Sequence, residues 1–422
     1  MRTIYTMLLY LMAPFVLLRM AWLGLKTPAY LSGWPRRLGL SVPAACPGPV
    51  IWIHAVSVGE VQAAAPLVER LSREHPRYPI LVTTMTPSGA AMARQRFGDR
   101  VTHSYLPYDI PHAMARFIRS VRPLLLLVME TEIWPNLYHH CSEQGIKVML
   151  VNARLSCKSY LGYKKIGFFS RRVIAMISKI GAQSPADGQR FISLGAHPDA
   201  VSITGNMKFD VPIPAGICGQ AQSLRRRLAA DRPIWIAAST HYGEEQQILH
   251  AHRSILQAHP SCLLILAPRH PERCTAVAEL CSRHGLRTLR KSVALACPAG
   301  TSVYLLDTLG ELMVYYAAAD IAFVGGSLIP WGGHNVLEPA GLGIPVITGN
   351  HVANFAEINQ LLLDNGAELR VGGVQELTDK VCRLLADPEH RRHMGQAGKQ
   401  VVERNRGSTD RIMQLIGDTI PA

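Results

Sequence analysis

Zinc and disulfide chemistry are what this 422-residue sequence most clearly lacks. Its nine cysteines (46, 141, 157, 218, 262, 274, 281, 297 and 382) are odd in number, with no CxxC pair and no Cys/His cluster at zinc-ligand spacing. That argues against a disulfide framework and a structural zinc, and for idle thiols in a reducing compartment. No GxGxxG follows the first apolar strand pattern, which weighs against a nicotinamide oxidoreductase. No Asp-x-Asp triplet occurs, in keeping with chemistry that needs no metal. Charged residues make up only 18% against 48% hydrophobic, without low-complexity runs or a fixed-period repeat, so long disordered tracts are not expected. The length suits two domains of about 200 residues each.

Acidic residues are scarce in one half only. Residues 1–210 hold 24 Lys+Arg against 11 Asp+Glu, a net +13; residues 211–422 hold 20 against 19, a net +1. A basic half can meet nucleic acid, anionic lipid or an anionic substrate, or simply be a soluble basic surface.

The N-terminus supplies the one long hydrophobic run. Residues 4–18, IYTMLLYLMAPFVLL, carry no charge, and the stretch to Leu25 reaches the roughly 20 residues of a bilayer span. Arg19 lies near one end, where its stem can snorkel. No A-x-A-like cleavage site follows directly, which predicts a retained anchor over 1–26. Arg2 precedes the run while Arg19, Lys26, Arg36 and Arg37 follow, a bias that puts the body of the protein in the cytoplasm. Pro14 and Arg19 keep an in-plane interfacial helix open as the alternative.

Short apolar runs then alternate with helical patterns. Strands are expected at 50–56, 79–85, 124–130, 147–153 and 202–207, with helical crossovers between them. Such a pattern specifies a parallel sheet covered on both faces. FDVPIPAG (209–216) breaks it and reads as a linker. The alternation restarts with strands at 233–239, 262–268, 302–307, 321–327 and 345–349, and the tail from about 374 reads as helices. The fold class expected is α/β: two doubly wound, Rossmann-like domains facing across a cleft, spanning 27–210 and 211–422. The last helix is allowed to pack back on the first domain. Ligands in such sheets bind beyond the carboxyl ends of strands, where most of the chemistry-bearing segments fall.

Those segments are IWIHAVSVGEV (51–61), TTMTPSG (83–89), ETEIWPN (130–136), NARLS (152–156), SITGNMKFD (202–210), AASTHYGEE (237–245), APRHPER (267–273), DTLGELMVYY (307–316) and FVGGSLIPWGGHNVLEPA (323–340). Together, and in this order, they resemble the Kdo transferase family of lipopolysaccharide assembly, where Kdo is 3-deoxy-D-manno-octulosonic acid. The resemblance implies a GT-B fold, a CMP-Kdo donor and a lipid A precursor (lipid IVA) as acceptor. It further implies an inverting transfer without metal or cofactor, at the cytoplasmic face of an anionic inner membrane and with no nucleic-acid partner. The residues alone leave two rivals: another GT-B transferase using a UDP-sugar, and a non-enzymatic scaffold binding anionic lipid.

Glu60 ends HAVSVGE, where a strand gives way to a helix. A carboxylate there suits the first-turn dipole or can deprotonate an acceptor hydroxyl; the resemblance assigns it as general base. His54 and Ser57 read as supporting residues, with a core position the commoner fate of His54. Glu130, neighboured by Glu132 at another strand end, is the second candidate active-site carboxylate. In the second domain, Gly310, Glu311 and Leu312 mark a turn into a helix whose free N–H groups suit a phosphate. Arg269 could neutralise the leaving phosphate or a donor carboxylate, and His270 could join it, though a solvated helix face explains His270 and Arg273 as well. By resemblance Glu338 holds the nucleotide ribose. Asn335 meets the donor or caps its helix. Lys208 reaches a donor carboxylate or is a surface lysine, and Ser239, Thr240 and His241 read as donor hydrogen-bonders. Arg154, Lys158, Lys164, Lys165, Arg171 and Arg172 fall beside Tyr160, Tyr163, Phe168 and Phe169, a mixture that suits the junction of headgroup and bilayer.

Overall fold

The computed structural model describes residues 2–26, 33–43, 48–229, 231–293 and 296–420. Cys46 and parts of the proline-rich segment 27–49 lie outside these, as does the side chain of Lys26. The chain divides into two compact units, Met1–Asp210 with Arg406–Ala422, and Val211–Asn405.

The first unit is built on a seven-stranded parallel sheet. Its strands are β1 (Val50–His54), β2 (Ile80–Thr84), β3 (Thr102–Tyr105), β4 (Pro123–Met129), β5 (Lys147–Ala153), β6 (Lys179–Ala182) and β7 (Val201–Ile203). They lie in the order β3-β2-β1-β4-β5-β6-β7, with every pairing parallel. The central strands are apolar on both faces because helices cover both: β1 and β2 are buried at every position. One face packs Trp52, Leu126 and Leu150 against helix Pro111–Val121 through Phe117. On the other, Ile53, Leu127 and Met149 meet helix Val58–Glu74 and the C-terminal helix Ser408–Gly417, which contributes Ile412, Met413 and Ile416. Asp210 fixes that returning helix by accepting hydrogen bonds from the backbone N–H groups of Gly407 (2.8 Å) and Thr409 (2.6 Å).

The second unit repeats the plan with β8 (Ile234–Thr240), β9 (Leu263–Pro268), β10 (Thr288–Arg290), β11 (Val303–Leu305), β12 (Ile321–Val324), β13 (Val346–Gly349) and β14 (Glu368–Val371). Their order is β10-β11-β9-β8-β12-β13-β14. Four strands were missed in the apolar pattern: β3, β6, β10 and β14. THSY, KIGA, TLR and ELRV are short, and three of the four are edge strands, which need no continuous apolar run. The run expected at 202–207 shrinks to a three-residue strand, after which Asn206 turns the chain by accepting from the Lys208 N–H.

The hydrophobic N-terminal run forms one helix, Arg2–Lys26, that continues through Pro14. Its mean hydropathy of 1.8 and its length would let it cross a membrane. Arg37, counted above among the charges flanking it, is instead a core residue. It is 3% exposed, donates to the Met85 carbonyl at 2.6 Å and lies over the Tyr105 ring.

Candidate active site

In each sheet the chain reverses its direction of winding once, between β1 and β4 and between β8 and β12. At such points the loops leaving neighbouring strands diverge and open a crevice. Glu60 follows β1 and Glu130 follows β4 at the first of these points; in the second unit Asn335 and Glu338 follow β12, whereas Arg269 and His270 follow β9 and Gly310, Glu311 and Leu312 follow β11.

In the first unit, Ser57 caps helix Val58–Glu74, and Glu60 is the third residue of that helix, the spacing of a capping box. The Glu60 carboxylate accepts from the Val56 N–H (2.8 Å) and the Ser57 hydroxyl (2.9 Å). It is 8% exposed. Burial raises its pKa from 4.5 to about 7; the two hydrogen bonds oppose that rise, and the negative charges of Glu130 and Glu132 add to it. Glu60 thus completes the helix cap, and burial brings its pKa to about 7.

Glu130 follows β4 at φ 55, a left-handed backbone that costs a non-glycine residue. Its N–H donates to the Val151 carbonyl at 3.0 Å, and Lys208 stands 3.8 Å from its carboxylate. Asn152, also at positive φ, holds the lysine's segment in place: its side-chain oxygen accepts from the Met207 N–H at 2.9 Å. Burial raises the pKa of Glu132, whose carboxylate accepts from the Trp134 indole N–H at 3.1 Å. His54 is fully buried, with Nδ1 2.9 Å from the Thr83 hydroxyl, and burial lowers its pKa to about 3. It is a core histidine, neutral at physiological pH.

In the second unit, Arg269 and His270 leave β9 exposed to solvent, the Arg269 N–H donating to Thr240 at 2.9 Å. Among the described residues no carboxylate comes within ion-pair distance of the Arg269 guanidinium. His270 lies 3.4 Å from Glu272, and Arg273 is spent on Glu245 at 2.7 Å. Asn335 donates to Glu338 (3.1 Å) and caps the short helix Leu337–Gly341 by accepting from the Leu337 N–H (3.1 Å). The helix-start reading of Asn335 is the one these bonds describe, and burial raises the pKa of Glu338. The turn at 310–312 leads into a helix as expected, but a short one. Gly310 has φ 88 but nothing close to it, and the helix that follows, Leu312–Ala318, is only seven residues long. Glu311 is its N-cap, with its carboxylate bound by Lys291 and Thr308.

The sequence reading missed two features here. Glu244, fully buried, accepts backbone N–H groups from Gly326 (2.7 Å), Ser327 (3.0 Å), Leu328 (2.9 Å) and His241 (3.3 Å). It ties the glycine loop after β12 to the end of β8. Gly325 must lack a side chain, since a Cβ would stand 2.7 Å from the Ser239 carbonyl. The second feature is a stack. Trp331 lies on His241 (4.6 Å, 12°), and His241 on His334 (5.0 Å, 8°) with their Nε2 atoms 2.7 Å apart. Burial lowers both histidines to about 4. HYGEE and PWGGHN contain all these residues, but 93 positions of chain separate the two histidines.

Comparison with known proteins gives this geometry a family. The model described as 3-Deoxy-D-manno-octulosonic-acid transferase (kdotransferase) matches residues 32–211, and that of glycosyl transferases group 1 matches residues 231–401. The chain is 42% identical over 417 residues to the 3-deoxy-D-manno-octulosonic acid transferase of Haemophilus influenzae, covering 98% of each. It is 36% identical to that of Bordetella pertussis, covering 99% of each. The UDP-GlcNAc 2-epimerase of Neisseria meningitidis shares the fold at a TM-score of 0.58 and 15% identity, over 88% of this chain and all of that one. The two-domain α/β architecture and the full-length likeness agree, and the chain belongs to the 3-deoxy-D-manno-octulosonic acid transferase family of glycosyltransferases.

Proposed function

We propose that this protein transfers Kdo from CMP-Kdo to a sugar hydroxyl of a lipid A precursor, lipid IVA, with inversion, at the cytoplasmic face of an anionic inner membrane. The observation that carries the mechanism is the gathering of Glu60, Glu130 and Glu132 at the first unit's switch point, with Glu60 raised to about 7. A base of that strength is half-ionised near neutrality and strong enough to take a hydroxyl proton as the bond forms.

Glu60 takes the acceptor's proton. The freed oxygen attacks the anomeric carbon of Kdo, and the bond to the phosphate breaks with its electron pair leaving on CMP. Arg269, with no carboxylate of its own among the described residues, balances the charge that accumulates on the phosphate. His270 and the backbone at Gly310, Glu311 and Leu312 line the same end of the second sheet. Glu338, oriented by Asn335, holds the ribose. Lys208 meets the donor's carboxylate, and its partner Glu130 keeps the lysine extended and orients the acceptor. Since Glu311 is already bound to Lys291, its part is that of the turn's backbone rather than of its carboxylate.

Mass spectrometry of lipid IVA incubated with the protein and CMP-Kdo tests the reading. A mass increase by Kdo is expected, with CMP but not UDP protecting the protein from thermal unfolding. Protection by UDP with no Kdo adduct would point to a UDP-sugar transferase instead.

A further inference from the structure

The N-terminal helix Arg2–Lys26 is seated on the first unit along most of its length. Near its start, the Tyr5 hydroxyl donates to Asp109 at 3.0 Å, and Thr6 exchanges hydrogen bonds with the Asn136 side chain at 3.1–3.2 Å. Tyr10 meets His112 Nδ1 at 2.7 Å, and near the far end the Tyr108 hydroxyl lies 2.8 Å from the Met20 sulfur. The partners belong to the fold. Asp109 is 2% exposed and accepts the Asn136 and Leu137 N–H groups at 2.9 and 2.8 Å, capping helix Pro135–Glu143. At about 1.5 Å per residue, positions 5 to 20 span about 22 Å of helix.

The other side of the helix is uncovered and apolar except for Arg2 and Thr3 at its start and Arg19 near its far end, where the arginine stem can snorkel. Ile4, Met7, Leu8, Leu11, Met12, Phe15, Leu18, Trp22 and Leu25 are 50–84% exposed. A helix that faces water on a folded domain carries polar residues outward; here the polar side chains Tyr5, Thr6 and Tyr10 reach toward the domain. A second element meets the helix near its start. Tyr5 packs on Phe169 at 5.8 Å, next to exposed Phe168 and Ile166 and close in sequence to exposed Leu161. Lys158, Lys164, Lys165, Arg171 and Arg172 are all exposed along the same two helices, Cys157–Lys165 and Gly167–Ile174. An apolar face beside a basic border matches an anionic lipid leaflet.

A crossing helix conflicts with these contacts. With residues 5 to 20 in the hydrocarbon, Asp109, Asn136 and His112 would be drawn in with them, and polar groups there are costly. We propose that the helix Arg2–Lys26 lies flat in one leaflet of an anionic bilayer, its outer face submerged and its inner face docked on the domain. This rests on the reading that the protein works at an anionic membrane, and replaces a tether with a monotopic surface that holds the first unit against the lipid.

The test uses the full chain with a Thr3→Cys substitution at an exposed position, bound to sealed vesicles of phosphatidylcholine and phosphatidylglycerol. A membrane-impermeant maleimide is added outside, and labelled cysteines are located by peptide mass spectrometry, with exposed Cys157 and Cys218 as internal references. The flat helix requires residue 3 to label from the same side as Cys218 in intact vesicles. Labelling of residue 3 only after the vesicles are opened would overturn the flat helix while leaving membrane association standing. Failure of the protein to float with the vesicles at all would instead remove the membrane reading itself. Residue 3 blocked in a vesicle-free dimer would mean that a second copy covers the face.

Discussion

The ammonium of Lys208 lies 3.8 Å from the carboxylate of Glu130, although 78 positions of chain separate them. Glu130 is brought there by the end of β4 and Lys208 by the turn after β7, a turn whose backbone is held by Asn152. The pair bears on Glu60, because the charge of Glu130 is one of the influences raising the Glu60 pKa. Turnover should therefore rise with pH along a limb centred near 7. Glu130→Gln removes a negative neighbour and should move that limb down by about half to one pH unit; Lys208→Met exposes Glu60 to an uncompensated Glu130 and should move it up. The measurement is kcat/KM against pH for the three proteins. A limb that stays in place in both variants would separate the pair from the base.

Glu60→Gln should reduce turnover by about 10²–10⁴-fold, the usual worth of a general base. It should also alter stability in a defined direction. Burial raises the folded-state pKa to about 7 from 4.5, so the folded protein binds this proton more tightly than the unfolded chain. That contribution is complete below about 4.5 and is lost as pH rises through about 7. The Gln variant should melt higher than the parent at pH 8 and close to it at pH 5. A parent-like Tm at pH 8 would show that the ionised carboxylate costs the fold nothing.

Arg269→Ala should weaken CMP binding by about 10–100-fold, as expected when a charged hydrogen bond worth roughly 1.5–3 kcal/mol is removed. Folding should be unaffected, because the side chain is exposed and forms no ion pair among the described residues. Isothermal titration with CMP gives the answer directly; unchanged affinity would take Arg269 out of the donor site.

Glu244→Ala should destabilise the second unit by about 3 kcal/mol or more, since four backbone N–H groups would lose their acceptor in a buried place. Glu244→Gln keeps one carbonyl acceptor but turns an amine toward the remaining N–H groups, and should fall between. Urea unfolding measures both. CMP affinity should fall with them if the 325–328 loop helps form the donor site. A drop in stability with CMP binding intact would make Glu244 purely structural.

The sequence by itself determined the two-sheet plan, because a strand buried between two helical layers must be apolar at nearly every position. VIWIH, ILVTT, PLLLLVM and IWIAAST are legible for that reason. Edge strands such as THSY and TLR answer to one neighbour only, and their composition hides them. Glu60 was legible as a carboxylate at a strand-to-helix turn, and the family motifs made it a candidate base. Its proton affinity was not, since that depends on burial and on Glu130 and Glu132 arriving from another strand. Arg37 looked like a membrane-flanking charge until its segment folded it under Tyr105. The hydrophobic N-terminus could be read as a span or a surface helix, since both need the same composition. The contacts of Tyr5 with Asp109 and of Thr6 with Asn136 were not legible, since they depend on segments more than 100 positions away. Composition is a property of the chain, whereas proton affinity and helix orientation are set by which distant groups share a buried place.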